Sequence, residues 1–282
     1  MRVLSRSLLP LFAVLGLLAG ALPAAAAPPG RVRPLAQAHA HNDYEHDRPL
    51  HDALGHGFTS VEADIYLVAG ELLVGHDPDD LTPERTLRSL YLDPLRQRVI
   101  RNGGSVYFGH RGPFQLLIDI KSDGESTYTA LDAVLREPRY AFLLTAYRNG
   151  KVTPRAVTAV VSGNRPRDTM AGQDTRFAFY DGRIADGTDL GPGDDARLTP
   201  LVSDNWTTLF TWTGTGEMPT AERTRLREIV TIAHDAGQRV RFWATPDVPG
   251  PERDAVWTEL IAAGVDHVNT DDLAGLQEFL TR

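Results

Sequence analysis

From residue 35 onward, short apolar runs alternate with longer stretches patterned for helix or loop. Eight runs have the length and character of strands: 35–41, 59–66, 115–121, 156–162, 176–180, 199–203, 239–244 and 265–270. Helix-like stretches follow several of them, over 84–99, 125–136, 219–236, 252–263 and 271–281. The clearest is 219–236, where Leu226, Ile229, Val230 and Ala233 recur at helical spacing, Thr220 stands ready to cap and Gly237 ends the run. Between 140 and 200 the pattern weakens. Asn149-Gly150, Gly163-Asn164 and the run Gly187 to Asp195 point to irregular loops or a hairpin in place of helices.

Alternating strands and helices predict a parallel sheet, because parallel neighbours need a crossover between them. Eight such units in about 255 residues match the size of one (β/α)8 TIM barrel. The expected organisation is a leader over 1–27 and a single barrel over 28–282. In the leader, Arg2 and Arg6 flank the start of an almost wholly apolar stretch, Leu8 to Leu22, and Ala24 to Ala27 supplies small residues. That is the pattern of a secretory signal peptide cleaved near Ala26-Pro28. The stretch is shorter than the ~20 residues of a membrane span and Pro10 interrupts it. A secreted, extracellular protein is expected.

The chain has no cysteine, which rules out disulfides and thiolate metal sites. A domain this large relies on its core instead. The net charge of −8 argues against a nucleic-acid partner. It does not oppose a phosphorylated substrate, since a bound cation reverses the local sign. A monomer is expected.

In a TIM barrel the chemistry sits at the C-terminal ends of the strands. The second strand reads Ser60-Val61-Glu62-Ala63-Asp64-Ile65-Tyr66, so Glu62 and Asp64 share a face. The third, Leu116-Leu117-Ile118-Asp119-Ile120-Lys121, adds Asp119 and Lys121 to an otherwise apolar run. Taken singly, these residues also fit an exposed polar face and a surface Asp119–Lys121 pair. Together, three carboxylates on adjacent strands make a hard oxygen site suited to Mg2+, with Ca2+ the alternative. The first strand ends Ala38-His39-Ala40-His41-Asn42-Asp43. After Asp64 a tight hairpin through Ala69-Gly70-Glu71 returns the chain to Gly75-His76-Asp77 and brings His76 to the same mouth. Two histidines flanking a phosphodiester supply one base and one acid, because imidazole titrates near neutrality. His39 lies deeper and fits a supporting role. His46, His51, His56, His234 and His267 fit surface or supporting positions. His110-Arg111-Gly112 lies before the third strand, at the wrong place in the order for catalysis.

The ordered set His41-Asn42-Asp43, Glu62-Ala63-Asp64, Gly75-His76-Asp77 and Asp119-Ile120-Lys121 resembles the glycerophosphodiester phosphodiesterase and phosphatidylinositol phospholipase C-like superfamily. Its spacing is similar to the sphingomyelinase D branch. The opening His-Ala-His-Asn-Asp-Tyr with Pro49-Leu50 is similar to a branch that includes fungal proteins named for altered mitochondrial inheritance. Phe242-Trp243-Ala244 and Val268-Asn269-Thr270-Asp271 resemble the last two strands of that superfamily, and residues 123–237 carry no motif of it. The resemblance implies His41 and His76 as the acid–base pair, and Glu62, Asp64 and Asp119 as ligands of one Mg2+. It further implies Lys121 and Asn42 as substrate contacts, with Trp243 and Asn269 lining the pocket. Attack on phosphorus by a substrate hydroxyl or by water follows, on a glycerophosphodiester or phospholipid-type substrate. Asn42 stands where many of these diesterases carry Arg, which removes or weakens one phosphate contact.

The segment Trp206 to Met218 holds Trp206, Phe210 and Trp212, as either a lid folded on the barrel or a surface for transient membrane contact. Two rival functions fit parts of the sequence. An amidohydrolase-like metal-dependent hydrolase also places His-x-His after strand one and would use Asp271, but strands five and six lack the histidines it needs. A non-catalytic exported ligand-binding barrel would not need all five of His41, His76, Glu62, Asp64 and Asp119.

Overall fold

A computed structural model describes residues 32–282, so the leader expected over 1–27 lies outside the described residues. All eight apolar runs form strands: β1 (Leu35–Ala40), β2 (Phe58–Val68), β3 (Phe114–Ile120), β4 (Val157–Gly163), β5 (Ala178–Arg183), β6 (Leu201–Asn205), β7 (Arg239–Trp243) and β8 (His267–Thr270). Each pairs in parallel with the next, and β1 pairs with β8, so the sheet closes into a (β/α)8 barrel. β5 and β6 sit about two residues later than the apolar pattern places them, because inward polar residues such as Asp181 and Ser203 break the run.

The alternation of each strand divides the molecule into two cores. Outward residues, among them Val61, Ile65, Leu116, Ile118, Val161, Val202, Phe242 and Val268, join one large cluster with the surrounding helices. Inward, Leu117, Val160, Phe179 and Leu201 form a separate apolar plug on the β3–β6 side. Tyr147 and Val152 pack against that plug from a hairpin, Ala146–Arg148 with Lys151–Thr153. Its turn residues Asn149 and Gly150 have φ of 46° and 83°, the paired left-handed conformation that a two-residue hairpin requires. The hairpin expected in this region is therefore present.

The opposite half of the interior is polar. His39 Nδ1 bonds Ser60 Oγ (2.6 Å), Gln115 Nε2 donates to the same hydroxyl (2.9 Å), and Arg239 Nη2 donates to Gln115 Oε1 (2.7 Å). His267, fully inside the barrel, is held neutral by burial and by the charge of Arg239, which lower its pKa well below the ordinary value. The unfolded chain takes up a proton near pH 6.5 that the folded barrel refuses. The stability contributed by neutral His267 is thus fully present above that pH and declines as the pH falls below it. The expected result is a smaller loss of urea midpoint between pH 7 and pH 5 in His267→Gln than in the wild type. Equal losses would show that His267 does not drive the acid limb.

Crossover helices cover 93–101, 124–135, 220–235, 251–263 and 273–281, close to the five expected. Two differences stand out. A short helix, His51–Gly55, follows β1, and no helix joins β5 to β6. Thr220 is the first residue of its helix rather than the cap, which falls at Pro219. The aromatic segment folds back onto the barrel, one of the two forms expected of it. Trp206, Phe210, Trp212 and Met218 are buried, Trp206 stacks on Phe210 at 4.2 Å, and both meet Phe242 on the outer face of β7. These rings wedge the helix 220–235 onto the barrel. Of the two forms expected for this segment, the burial of these aromatics fits the lid folded on the barrel.

Candidate active site

The inward side chains at the C-terminal ends of β1, β2, β3, β7 and β8 build the mouth. Asp64 and Asp119 are register partners on β2 and β3, one inward step above Glu62. Ligand atoms of Glu62, Asp64 and Asp119 all lie within 4.8 Å of one another. Beyond Asp64, β2 pairs antiparallel with Glu71–Val74 through a turn with Ala69 at φ 50° and Gly70 at φ 89°, as the sequence predicts. The Gly75 N–H donates to the Asp64 carbonyl (3.3 Å), which sets His76 beside the mouth.

Each carboxylate has a different environment. Glu62 is paired with Arg241 and meets His39 Nε2 at 3.3 Å. Burial alone would raise its pKa, but the Arg241 charge outweighs burial and holds Glu62 ionised. Asp64 accepts from the Tyr44 hydroxyl (2.7 Å) and pairs with Lys121 Nζ (3.1 Å) through Oδ2, while its Oδ1 is buried with no hydrogen-bond partner. Asp119 Oδ1 faces Lys121 Nζ at 3.3 Å. Burial and then the Glu62 charge push both aspartates above the usual carboxylate range. A buried acceptor without a partner, and two acids pushed up by burial and a neighbouring carboxylate despite Lys121, suit a hard divalent cation. The donor set fits the group.

His41 Nδ1 bonds Asp271 Oδ1 at 2.8 Å. Burial lowers the His41 pKa, but the Asp271 bond and the Glu62 charge prevail and raise it. His76 Nδ1 bonds Asp77 Oδ2 at 3.1 Å, and that bond raises its pKa. His76 is the more open of the two, bordering a cavity of about 540 Å3 with Tyr44, His46 and Arg85. Asn42, at φ 44°, has its Oδ1 2.9 Å from the Tyr44 hydroxyl, so Asn42 and Asp64 are alternative acceptors for that one proton. Trp243 is half-buried at the mouth, with the Arg183 guanidinium 5.0 Å from its ring. Asn269 sits in the second layer of the mouth, behind Arg241. It is buried, and its Oδ1 accepts from Arg241 Nε (2.9 Å) and Nη2 (2.7 Å), so it orients Arg241 against Glu62.

Four residues of the mouth escape the sequence reading: Tyr44, Asp271 in its contact with His41, Arg241 and Arg183. Arg241 had a signal, since Arg239-Val240-Arg241-Phe242-Trp243 alternates and puts both arginines on the face of Trp243. Arg183 had none, because nothing in its local pattern shows that Asp181, Ser162 and Ser203 hold it.

A family profile described as "AIM6-like phosphodiesterase domain" matches residues 30–181. The chain is 32% identical over 260 residues to an altered inheritance of mitochondria protein 6 homolog of Arthroderma benhamiae, covering 83% of this chain and 81% of that protein. The chain belongs to the AIM6-like phosphodiesterase family. Altered inheritance of mitochondria protein 6 of Eremothecium gossypii is 33% identical, over 87% of this chain and 69% of its own length. The profile of the glycerophosphoryl diester phosphodiesterase family matches 239–274, the β7–β8 part of the AIM6-like barrel. Among solved structures, glycerophosphodiester phosphodiesterases of Thermotoga maritima and Parabacteroides distasonis each share 12% identity, with TM-scores of 0.46 and 0.49 over 89% and 88% of this chain and 99% and 87% of theirs. The expectation of an extracellular protein is corrected here. The AIM6-like relatives that span most of the chain carry names tied to mitochondrial inheritance, and the residues that prompted the expectation lie outside those described.

Gly163, at the end of β4, gives a direct test of the mouth's packing. Its φ is +68°, and a Cβ there would stand 2.2 Å from Asp119 Oδ1 and 2.4 Å from the Ile120 carbonyl oxygen. Gly163→Ala is expected to destabilise by about 1–3 kcal/mol and to weaken divalent-cation binding, read by chemical denaturation and calorimetry. Unchanged cation affinity would show that Asp119 does not depend on this close approach.

Proposed function

We propose that this protein is a Mg2+-dependent phosphodiesterase that cleaves a glycerophosphodiester or phospholipid-type substrate with His41 and His76 as its acid–base pair. The observation that carries the reading is the three-carboxylate cluster with a buried, unpartnered Asp64 oxygen, flanked by two histidines each oriented by its own aspartate. Glu62, Asp64 and Asp119 would hold one Mg2+, which when bound supplies positive charge against the phosphoryl oxygens.

The chain's own groups do the rest. Asp271 fixes the His41 tautomer: Nδ1–H donates to the carboxylate, leaving Nε2 to accept the proton of the attacking hydroxyl or water. Asp77 does the same for His76, whose open position suits proton delivery to a leaving group that departs toward solvent. Lys121 Nζ stands beside Asp64 and Asp119 and would contact a phosphoryl oxygen. Trp243 gives an apolar wall, and Asn42 and Asp64 both stand within hydrogen-bond reach of the Tyr44 hydroxyl.

Turnover of bis(p-nitrophenyl) phosphate and of a small phospholipid panel tests the reading. Cleavage should vanish in EDTA, return with Mg2+ and be lost in Asp119→Asn. Activity indifferent to chelation would overturn the role of the carboxylates. Absence of turnover on every diester, with a cation still bound, would favour a ligand-binding barrel.

A further inference from the structure

At the other end of the barrel, the N-terminal ends of the strands surround a cavity of about 320 Å3. Its walls include Gln37 and Thr59, Arg239, Asp266 and His267, and His110 and Gly112 from the loop before β3. That loop carries the His110-Arg111-Gly112 tripeptide for which the mouth has no use.

Arg239 is the centre of the cavity. Its guanidinium reaches across the barrel to Gln115 Oε1 (2.7 Å), and its Nη1 bonds His267 Nε2 (3.1 Å). Both partners are neutral. Among the described residues no carboxylate forms an ion pair with Arg239, in contrast to Arg241, one inward step along the same strand, which is paired with Glu62. Asp266 lies near enough to be felt electrostatically, but its Oδ2 is taken by the Val240 N–H (2.8 Å) and His234 (2.9 Å). A half-buried guanidinium whose hydrogen-bond partners are both neutral keeps charge to offer an anion that enters the cavity. Its pKa is lowered by burial, against which the Asp266 charge acts in the raising direction.

Two further features belong to the same wall. His267 Nδ1 is buried without a hydrogen-bond partner. At the rim, Gly112 has no side chain, and a Cβ there would stand 2.5 Å from His110 Nε2. The missing methyl is what lets the His110 imidazole lie over the entrance. The volume is at the lower end of the range for small-ligand pockets, and a guanidinium is the side chain best matched to a planar or tetrahedral oxyanion.

We propose that this cavity is a second binding site, separate from the mouth, for a small oxyanion of phosphate or carboxylate type held by Arg239 with His110 at its entrance. The site needs no catalytic activity, so it stands or falls independently of the phosphodiesterase reading.

Calorimetric titration of the full chain in EDTA with inorganic phosphate, glycerol 3-phosphate and acetate tests it. At least one oxyanion should bind, with affinity reduced about tenfold or more in Arg239→Gln. Gly112→Ala, which pushes the His110 ring aside, should weaken binding by a smaller factor. Lys121→Gln, at the opposite end, should leave it unchanged. Preference for the two phosphates assigns a phosphate site, and preference for acetate a carboxylate site. If Arg239→Gln does not fold, Gly112→Ala and His110→Ala decide the matter. The proposal is overturned if none of the three anions binds, if binding disappears in Lys121→Gln, or if the cavity variants bind like the wild type.

Discussion

Replacing His41 by alanine is expected to lower turnover of a phosphodiester by ~10²–10⁴-fold with little change in stability. The ring sits at the mouth, partly open to solvent, and packs against little that would collapse. Asp271→Asn is the more informative partner variant. Asp271 touches His41 and no other part of the proposed chemistry, so its loss should cost about 10- to 100-fold. It should also move the acid limb of the pH–rate profile. The Asp271 bond raises the His41 pKa, so without it His41 should deprotonate at lower pH and the limb should shift downward. A merely structural Asp271 would reduce the rate without moving the limb. A His41→Ala protein that retained wild-type turnover would remove His41 from the mechanism.

Arg241→Met should have the largest effect on stability. Arg241 is buried, paired with Glu62 and held by Asn269. Removing one partner of a buried pair leaves the other charge uncompensated, which typically costs about 3–5 kcal/mol. Denaturation in EDTA should show this loss. Added Mg2+ should then recover more stability in the variant than in the wild type, because a bound cation would replace the missing positive charge beside Glu62. The double variant Glu62→Gln/Arg241→Met should regain part of the stability without Mg2+. If Mg2+ stabilises the single variant no more than the wild type, Glu62 is not part of the cation site.

The barrel was legible because parallel strands buried on both sides appear as continuous apolar runs, and eight of them stand out from this chain. β5 and β6 blurred because Asp181, Arg183 and Ser203 point into the mouth and interrupt the run. Glu62, Asp64 and Asp119 were legible for the opposite reason: an acid inside an apolar strand contradicts its surroundings. The reach of Asp271 to His41 was not legible, since 230 residues separate them and only closure of β8 onto β1 brings them together. The bond of Asn269 to Arg241 was not legible, because a motif fixes a residue's strand and face but not the partner it finds there. The aromatic segment left two readings open for a related reason. Trp206, Phe210 and Trp212 lie in a stretch without helical or strand periodicity, which reads as a surface loop, yet the outer face of β7 offers Phe242 as an anchor.

The central claim is that Glu62, Asp64 and Asp119 together hold one divalent cation on which diester cleavage depends. The most direct measurement follows Mg2+ binding by calorimetry and bis(p-nitrophenyl) phosphate turnover over the same Mg2+ titration, in the wild type and in Asp64→Asn. One binding site should appear, with turnover rising as that site fills, and Asp64→Asn should lose both together. Turnover that persists in Asp64→Asn, or that does not follow occupancy of the site, would contradict the account.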